Sequence, residues 1–90
     1  MNISVKPDIR VKGVNIDEET LSVALMDGRT ISTPIAWFPR LLAASAAQRA
    51  NWRVSGAGFG IHWPDVDEDI STRGLLAIAE APDDTRGSAA

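Results

Sequence analysis

The sequence predicts an α+β fold: an antiparallel sheet of three to five strands with two helices, in the order β-β-β-α-β(-β)-α. Three observations predict it. Apolar residues alternate along the N-terminal third, as in strands with one buried face. An Asp-Gly pair then marks a hairpin, and an Ala-rich stretch of helical period follows. The chain has 90 residues, so we expect one domain over residues 1–81 and a disordered polar tail over residues 82–90.

Three strands in a meander are predicted first. The apolar residues of the first strand are Ile9, Val11 and Val14 or Ile16, with charged residues between the first of them. In the second strand, Leu21, Val23 and Leu25 lie on one face. Asp27-Gly28 predicts a type I′ turn, because this turn needs a positive φ that Gly adopts freely. The return strand over residues 30–33 ends at Pro34.

Residues 36–50 predict the first helix. Their Ala-rich composition favours a helix, and apolar side chains recur there at the spacing of one helix face. Pro39 fits the first turn, where its missing N–H costs nothing. We expect Trp37 and Phe38 to anchor the start of this helix against the sheet.

The second half of the chain returns to strand period over residues 52–63. The apolar positions change parity near Gly56, which implies a bulge or a tight turn, and both one bent strand and a hairpin fit this pattern. The glycines there superficially resemble a phosphate-binding loop, but a strand pattern follows them instead of a helix. Asp69 or Ser71 can cap a short C-terminal helix.

Composition restricts the classes of function. The net charge of −3 and the pI of about 4.9 make a nucleic-acid partner unlikely, because such a partner favours a basic face. The chain has no cysteine, so disulfides and thiolate metal sites are excluded. It has neither a secretory leader nor an apolar stretch of about 18 residues, so we expect a cytoplasmic protein with no membrane partner.

The densest stretch, residues 60–71, contains the single histidine and four carboxylates. Asp65, Asp67 and Asp69 have the spacing that opens a calcium loop. That loop needs Gly at its sixth position and Glu at its twelfth, where this chain has Ile70 and Leu76. We therefore expect no metal site and no cofactor, and we interpret the segment as a solvated loop that caps the following helix.

No nucleophile or pocket motif accompanies His62, so the sequence predicts no catalytic residue and no enzyme. We expect His62 to lie on the outer strand face with a local hydrogen bond, and Trp63 to lie in the core. The three tryptophans either all fill the core or include an exposed interface anchor. The candidate binding residues are His62, Trp63, Asp65, Asp67, Asp69 and Arg40.

The order of these features resembles the family called domain of unknown function 2442, over about residues 8–80. The residues that carry the resemblance are Asp27-Gly28-Arg29, Trp37-Phe38-Pro39-Arg40-Leu41 and, above all, the run Ile-x-Trp-Pro-x-x-Asp-x-Asp-Ile that begins at Ile61. The resemblance implies a small bacterial α+β domain. Members of such a family occur alone, fused to helix-turn-helix segments, or encoded next to small partners as in toxin–antitoxin pairs. The family has no agreed catalytic residues.

These observations predict a non-enzymatic protein-interaction module, and the family resemblance implies that it could be an antitoxin-like partner in a toxin–antitoxin-type pair. The expected partner is a second copy of the chain or the product of a neighbouring gene, bound through a sheet edge or the helix that carries Arg40 and Arg49. The alternative from another class is a small-ligand or metal-binding protein, or an unrecognised enzyme, that uses the loop Gly60–Asp69. A nucleic-acid accessory domain is the third hypothesis, which the pI opposes.

Overall fold

The computed structural model describes residues 6–80, and within them the strands form two three-stranded antiparallel sheets. The first sheet contains β1 (Val11–Ile16), β2 (Thr20–Leu25) and β3 (Thr30–Pro34). The second contains β4 (Arg53–Ser55), β5 (Gly60–Trp63) and β6 (Glu68–Ser71). Two short helices, α1 (Pro39–Leu42) and α2 (Ala46–Ala50), join the sheets, and α3 (Thr72–Glu80) follows β6. The α+β class is confirmed; the predicted tail, residues 82–90, lies outside the described residues.

The meander of the first sheet is confirmed, with Leu21, Val23 and Leu25 fully buried on one face of β2. The hairpin after Leu25 is also present, but the predicted type I′ turn is wrong. The Gly28 N–H donates to the Leu25 carbonyl at 3.0 Å, and φ is positive at Gly28 but not at Asp27. These features define a three-residue loop with Gly in the left-handed region. The Asp27 carboxylate instead accepts hydrogen bonds from backbone groups on either side of the loop.

The predicted single helix over residues 36–50 is two helices, α1 and α2. Polar side chains satisfy the backbone groups at the end of α1 and at the start of α2. Ser45 Oγ accepts from the Gln48 N–H at 3.1 Å and Gln48 Oε1 accepts from the Ser45 N–H at 2.9 Å, which is a capping box at the start of α2. The Arg49 guanidinium donates to the carbonyls of Leu41 and Leu42, each at 2.9 Å. These carbonyls at the end of α1 therefore have partners, and α1 and α2 are joined through a side chain.

The start of the helical segment is anchored differently from the prediction. A 3-10 turn over Ile35–Trp37 precedes α1, and Ile35 is buried in the core. Phe38 packs against that core as expected, whereas Trp37 is 44% exposed and does not anchor the helix. Trp37 is therefore the exposed tryptophan that the sequence left as one of two alternatives.

The second sheet resolves the two alternatives for residues 52–63 in favour of a hairpin. A tight turn over Gly56–Gly58 joins β4 to β5, and φ is positive at all three of its residues. The acidic segment then forms a turn over residues 64–67 and enters β6, so the prediction that Asp69 caps a helix is wrong. Ser71 is the cap, because its Oγ accepts from the Gly74 N–H at 2.9 Å.

One core joins both sheets to the helices, and its most buried large side chain is Trp63. The buried apolar residues are Val11, Leu21, Val23, Leu25, Ile31, Ile35, Leu41, Ile61, Trp63, Ile70 and Leu75. Trp63 is 0% exposed, which confirms its predicted place, and its indole N–H donates to the Arg49 carbonyl at 3.0 Å. The second sheet is thereby attached to α2.

Replacing Trp63 tests this attachment. We expect Trp63→Ala to lower the free energy of unfolding by about 3–5 kcal/mol, because the change opens a large cavity and leaves the Arg49 carbonyl without its donor. Chemical denaturation followed by circular dichroism measures this loss. Trp37→Ala is the control, since it removes the same side chain from a half-exposed position, and an equal loss in both variants would contradict the placement of Trp63.

Asp27 provides a pH test of the first hairpin. Hydrogen bonds from the Arg29 side chain at 2.8 Å and the Asp8 N–H at 2.9 Å hold the pKa of Asp27 well below its usual range. Since the pKa is lower in the folded state, this carboxylate stabilises the fold above the unfolded pKa of about 3.9, and the contribution is lost as the pH falls through the folded pKa.

We therefore expect Asp27→Asn to lower the melting temperature at pH 7, and the difference from the original protein to shrink as the pH falls below about 4. Thermal melts across a pH series measure it. Glu19→Gln, at an exposed carboxylate, is the control and should leave the profile nearly unchanged. A melting difference for Asp27→Asn that does not vary with pH would contradict this assignment.

Candidate functional site

The six residues predicted for binding do not form one site. His62 lies on the outer face of the second sheet, where its Nδ1 is 2.8 Å from Asp69 Oδ1 on the neighbouring strand. This contact is the local hydrogen bond expected for His62. Trp63 points the opposite way, into the core. The sequence neighbours His62 and Trp63 are thus separated by the thickness of the sheet, as strand alternation requires.

The other three residues attach the turn over residues 64–67 to the helices. Asp65 Oδ2 accepts from the Asn51 side-chain amide at 3.0 Å, just after α2. Arg40 of α1 donates to the backbone carbonyl of Asp67. These contacts hold the turn in place through one carboxylate oxygen of Asp65 and the backbone carbonyl of Asp67.

A metal site in this loop also lacks a suitable set of ligands. Within residues 6–80, no group of three His, Asp or Glu side chains lies close enough together to hold a metal ion. Asp67 contacts α1 through its backbone carbonyl, whereas the side chain of Asp69 contacts His62. The alternation that looked like a calcium loop is therefore part of a turn and a strand.

A groove of about 690 Å³ lies between the first strand and the helices. Residues 14–18 form one wall, which is the second half of β1 and the turn after it. The apolar residues of the opposite wall are Leu42, Ala44, Ala46, Ala50 and Trp52. The volume lies within the range of about 300–1,000 Å³ that ligand sites occupy.

The strand wall presents unpaired backbone as well as side chains, because β1 is an edge strand. The Asp17 N–H donates to the Thr20 carbonyl at 3.0 Å, and Asn15 lies opposite Ser22 in the same register. Backbone groups point to alternate sides of a strand, so those of Asn15 and Asp17 point towards β2. The N–H and C=O groups of Val14 and Ile16 therefore point away from β2, towards the free edge.

Charge in the groove is concentrated at the end of β1. Asp17 Oδ1 accepts from the backbone N–H groups of Glu19 at 2.8 Å and Thr20 at 2.7 Å. These two hydrogen bonds, with a smaller contribution from the positive charge of Arg49, lower the pKa of Asp17 below its ordinary value. Glu18 is exposed beside it. The groove thus combines an apolar floor with carboxylates at one end.

Sequence reasoning missed this groove, although it assigned several of its residues correctly. Val14 or Ile16 is predicted in the first strand, which contains both, and the small alanines are predicted in a helix. The gap between them depends on how α2 approaches β1, which is a tertiary contact. The one sequence signal for the groove is the pair of apolar residues, Val14 and Ile16, in the second half of β1.

With the geometry described, the comparisons with known proteins identify the family. The model of the family "Protein of unknown function (DUF2442)" matches residues 11–81, so the chain belongs to this family. No curated protein matches the sequence.

Two solved structures of proteins of unknown function are similar to it. A crystal structure from Rhodospirillum rubrum has 28% identity and a TM-score of 0.69, with 86% of this chain and 95% of that chain covered. An NMR structure of an uncharacterised protein from Chromobacterium violaceum has 18% identity and a TM-score of 0.66, with 89% and 75% covered, and shows the shared fold. The predicted family is therefore confirmed, and the chain is a small protein of uncharacterised function.

No helix within residues 6–80 is long and apolar enough to cross a membrane.

Proposed function

We propose that this chain is a non-enzymatic protein-interaction module that binds an extended segment of a partner between the edge of β1 and α2. One observation carries the proposal: the groove has the free edge of a strand on one side and an apolar helical wall on the other. Strand addition uses both elements. Main-chain hydrogen bonds to the edge supply affinity, and spaces for alternate side chains supply specificity.

The edge of β1 supports the first requirement. The backbone groups of Val14 and Ile16 point away from β2, and both residues line the groove, so a segment bound at this edge would pair with them. Free edges are a hazard for soluble proteins, which cover them or make them unattractive to other chains. A partner strand at this position would extend the first sheet from three strands to four.

The helical wall supports the second requirement. Ala46 and Ala50 are short, so they leave space for larger side chains that enter from an added strand. Leu42 is 47% exposed at the same wall, and Trp52 is half-buried beside it. Covering such apolar surface contributes roughly 25 cal/mol for each Å² removed from water.

The chemistry of the lining favours binding over catalysis. The groove wall contains no histidine, and it contains no hydroxyl or thiol that a base could activate. The guanidinium of Arg49 already donates to two carbonyls, so it holds α1 and α2 together. The single histidine, His62, lies outside the groove lining and is engaged with Asp69.

The family resemblance suggests which partner to test first. We propose a cytoplasmic protein encoded by an adjacent gene, with this chain as the antitoxin-like member of the pair. A second copy of the chain is the other candidate, because edge strands of identical chains can pair. In the loop Gly60–Asp69, the alternative site, Asp65 Oδ2 is engaged with Asn51, the Asp67 carbonyl with Arg40, and Asp69 Oδ1 with His62.

A matched pair of variants on α2 tests the groove. Ala50 lines the groove and Ala47 does not, yet both are exposed alanines of the same helix. We expect Ala50→Trp to fill the groove and weaken binding of the neighbouring gene product at least tenfold, which is a loss of about 1.4 kcal/mol. Ala47→Trp should bind as the original protein does. Calorimetry measures the affinity, and thermal melts confirm that both variants fold.

The same experiment can also contradict the proposed binding site. Equal affinity in the Ala47→Trp and Ala50→Trp variants would place the interface elsewhere on the chain. Sedimentation across a concentration series gives the corresponding result for a second copy. A chain that stays monomeric, ignores the neighbouring gene product and converts a small molecule through His62 would overturn the proposed function.

A further inference from the structure

We infer that the segment bound in the groove carries lysine or arginine at the end that lies beside Asp17 and Glu18. The inference rests on the proposed function, because it names the chemistry of the segment that the groove accepts. It follows from the distribution of charge around the groove, from the contacts that already occupy its one cation, and from the size of the side chains in its helical wall.

The acidic end is fixed in position before any partner arrives. Asp17 is held by hydrogen bonds from two backbone N–H groups, so its carboxylate does not need to be ordered on binding. Glu18 makes no hydrogen bond or ion pair with any other residue of the described range 6–80, so its carboxylate is open to a cation. Glu19, also exposed, adds a third negative charge to the same turn.

The cation of the groove, Arg49, neutralises this end only in part, although its positive charge contributes to the lowered pKa of Asp17. Arg49 contributes to the lining, but its Nε and Nη2 atoms donate to the carbonyls of Leu41 and Leu42. No ion pair joins Arg49 to Asp17 among the described residues. The charged lining is Asp17, Glu18 and Arg49, which gives −2 + 1 = −1. Carboxylates of a bound segment would be repelled by Asp17 and Glu18, so the groove disfavours an acidic segment.

The helical wall defines the rest of the segment. Every second side chain of an added strand would face α2 and Trp52, while the others would face away from the groove. The short side chains of Ala46 and Ala50 leave room there. The structure therefore favours large apolar residues at alternate positions, followed or preceded by basic residues at the Asp17–Glu18 end.

Selection from a random peptide library displayed on phage tests this chemistry with the full chain as bait. The Ala50→Trp variant serves as a parallel bait, so that peptides selected by the original protein alone are assigned to the groove. We expect these peptides to share an alternating apolar run with lysine or arginine at one end. The selected peptides, made synthetically, are then titrated against the original protein and against an Asp17→Asn, Glu18→Gln double variant.

We expect the double variant to bind these peptides roughly three- to tenfold more weakly, and the affinity of the original protein to fall with added salt. Asp69→Asn is the matched control, because it removes a carboxylate on the outer face of the second sheet. Thermal melts verify that all variants fold. Groove-dependent peptides that are neutral or acidic, or that bind the double variant unchanged, would overturn the inference while leaving the groove as the binding site. No selected peptide, or peptides that bind the Ala50→Trp variant equally well, would overturn the proposed function itself.

Discussion

The attachment of Trp63 to Arg49 is the interaction on which the arrangement of this small domain depends. The indole fills the core from β5, and its N–H donates to the backbone carbonyl of Arg49 on α2. The side chain of the same arginine donates to the last carbonyls of α1. One tryptophan and one arginine thus connect the second sheet, α2 and α1. The helix α2 that they position forms the wall of the groove opposite β1.

Local chemistry explains which parts of the fold could be predicted from the sequence. The alternation around Leu21, Val23 and Leu25 gives the faces of β2 directly, and Ser71 was one of the two caps named for the last helix. The errors lie where polar side chains overrule a periodic pattern. Ser45 starts a new helix inside an Ala-rich stretch, and Asp27 binds backbone groups around its loop. The division into two sheets arises because β3 and β4, consecutive strands of the described part of the chain, do not pair, and periodicity does not encode which strands pair.

The candidate site was harder to predict than the fold for a physical reason. The residues between Gly60 and Asp69 are chemically conspicuous because they must hold a tight turn and two strands against the helices. Asp65 and Arg40 make these structural contacts. The groove, in contrast, is lined by residues that are individually ordinary, such as Val14 and Ala50. The function proposed for it follows from the free backbone edge and the space beside it, and no single residue type in the sequence indicates either feature.

The edge of β1 also carries features that restrict which chain can bind there. Its pairing with β2 is interrupted by a bulge at Lys12, and three carboxylates follow its other end in the turn over residues 17–19. Bulges and charges at the edge of a sheet hinder indiscriminate pairing with other strands. The same acidic turn would attract a segment of complementary charge. The same residues would therefore hinder indiscriminate pairing and favour one kind of partner. A segment that is basic at one end and apolar at alternate positions matches both the acidic turn and the apolar wall of the groove.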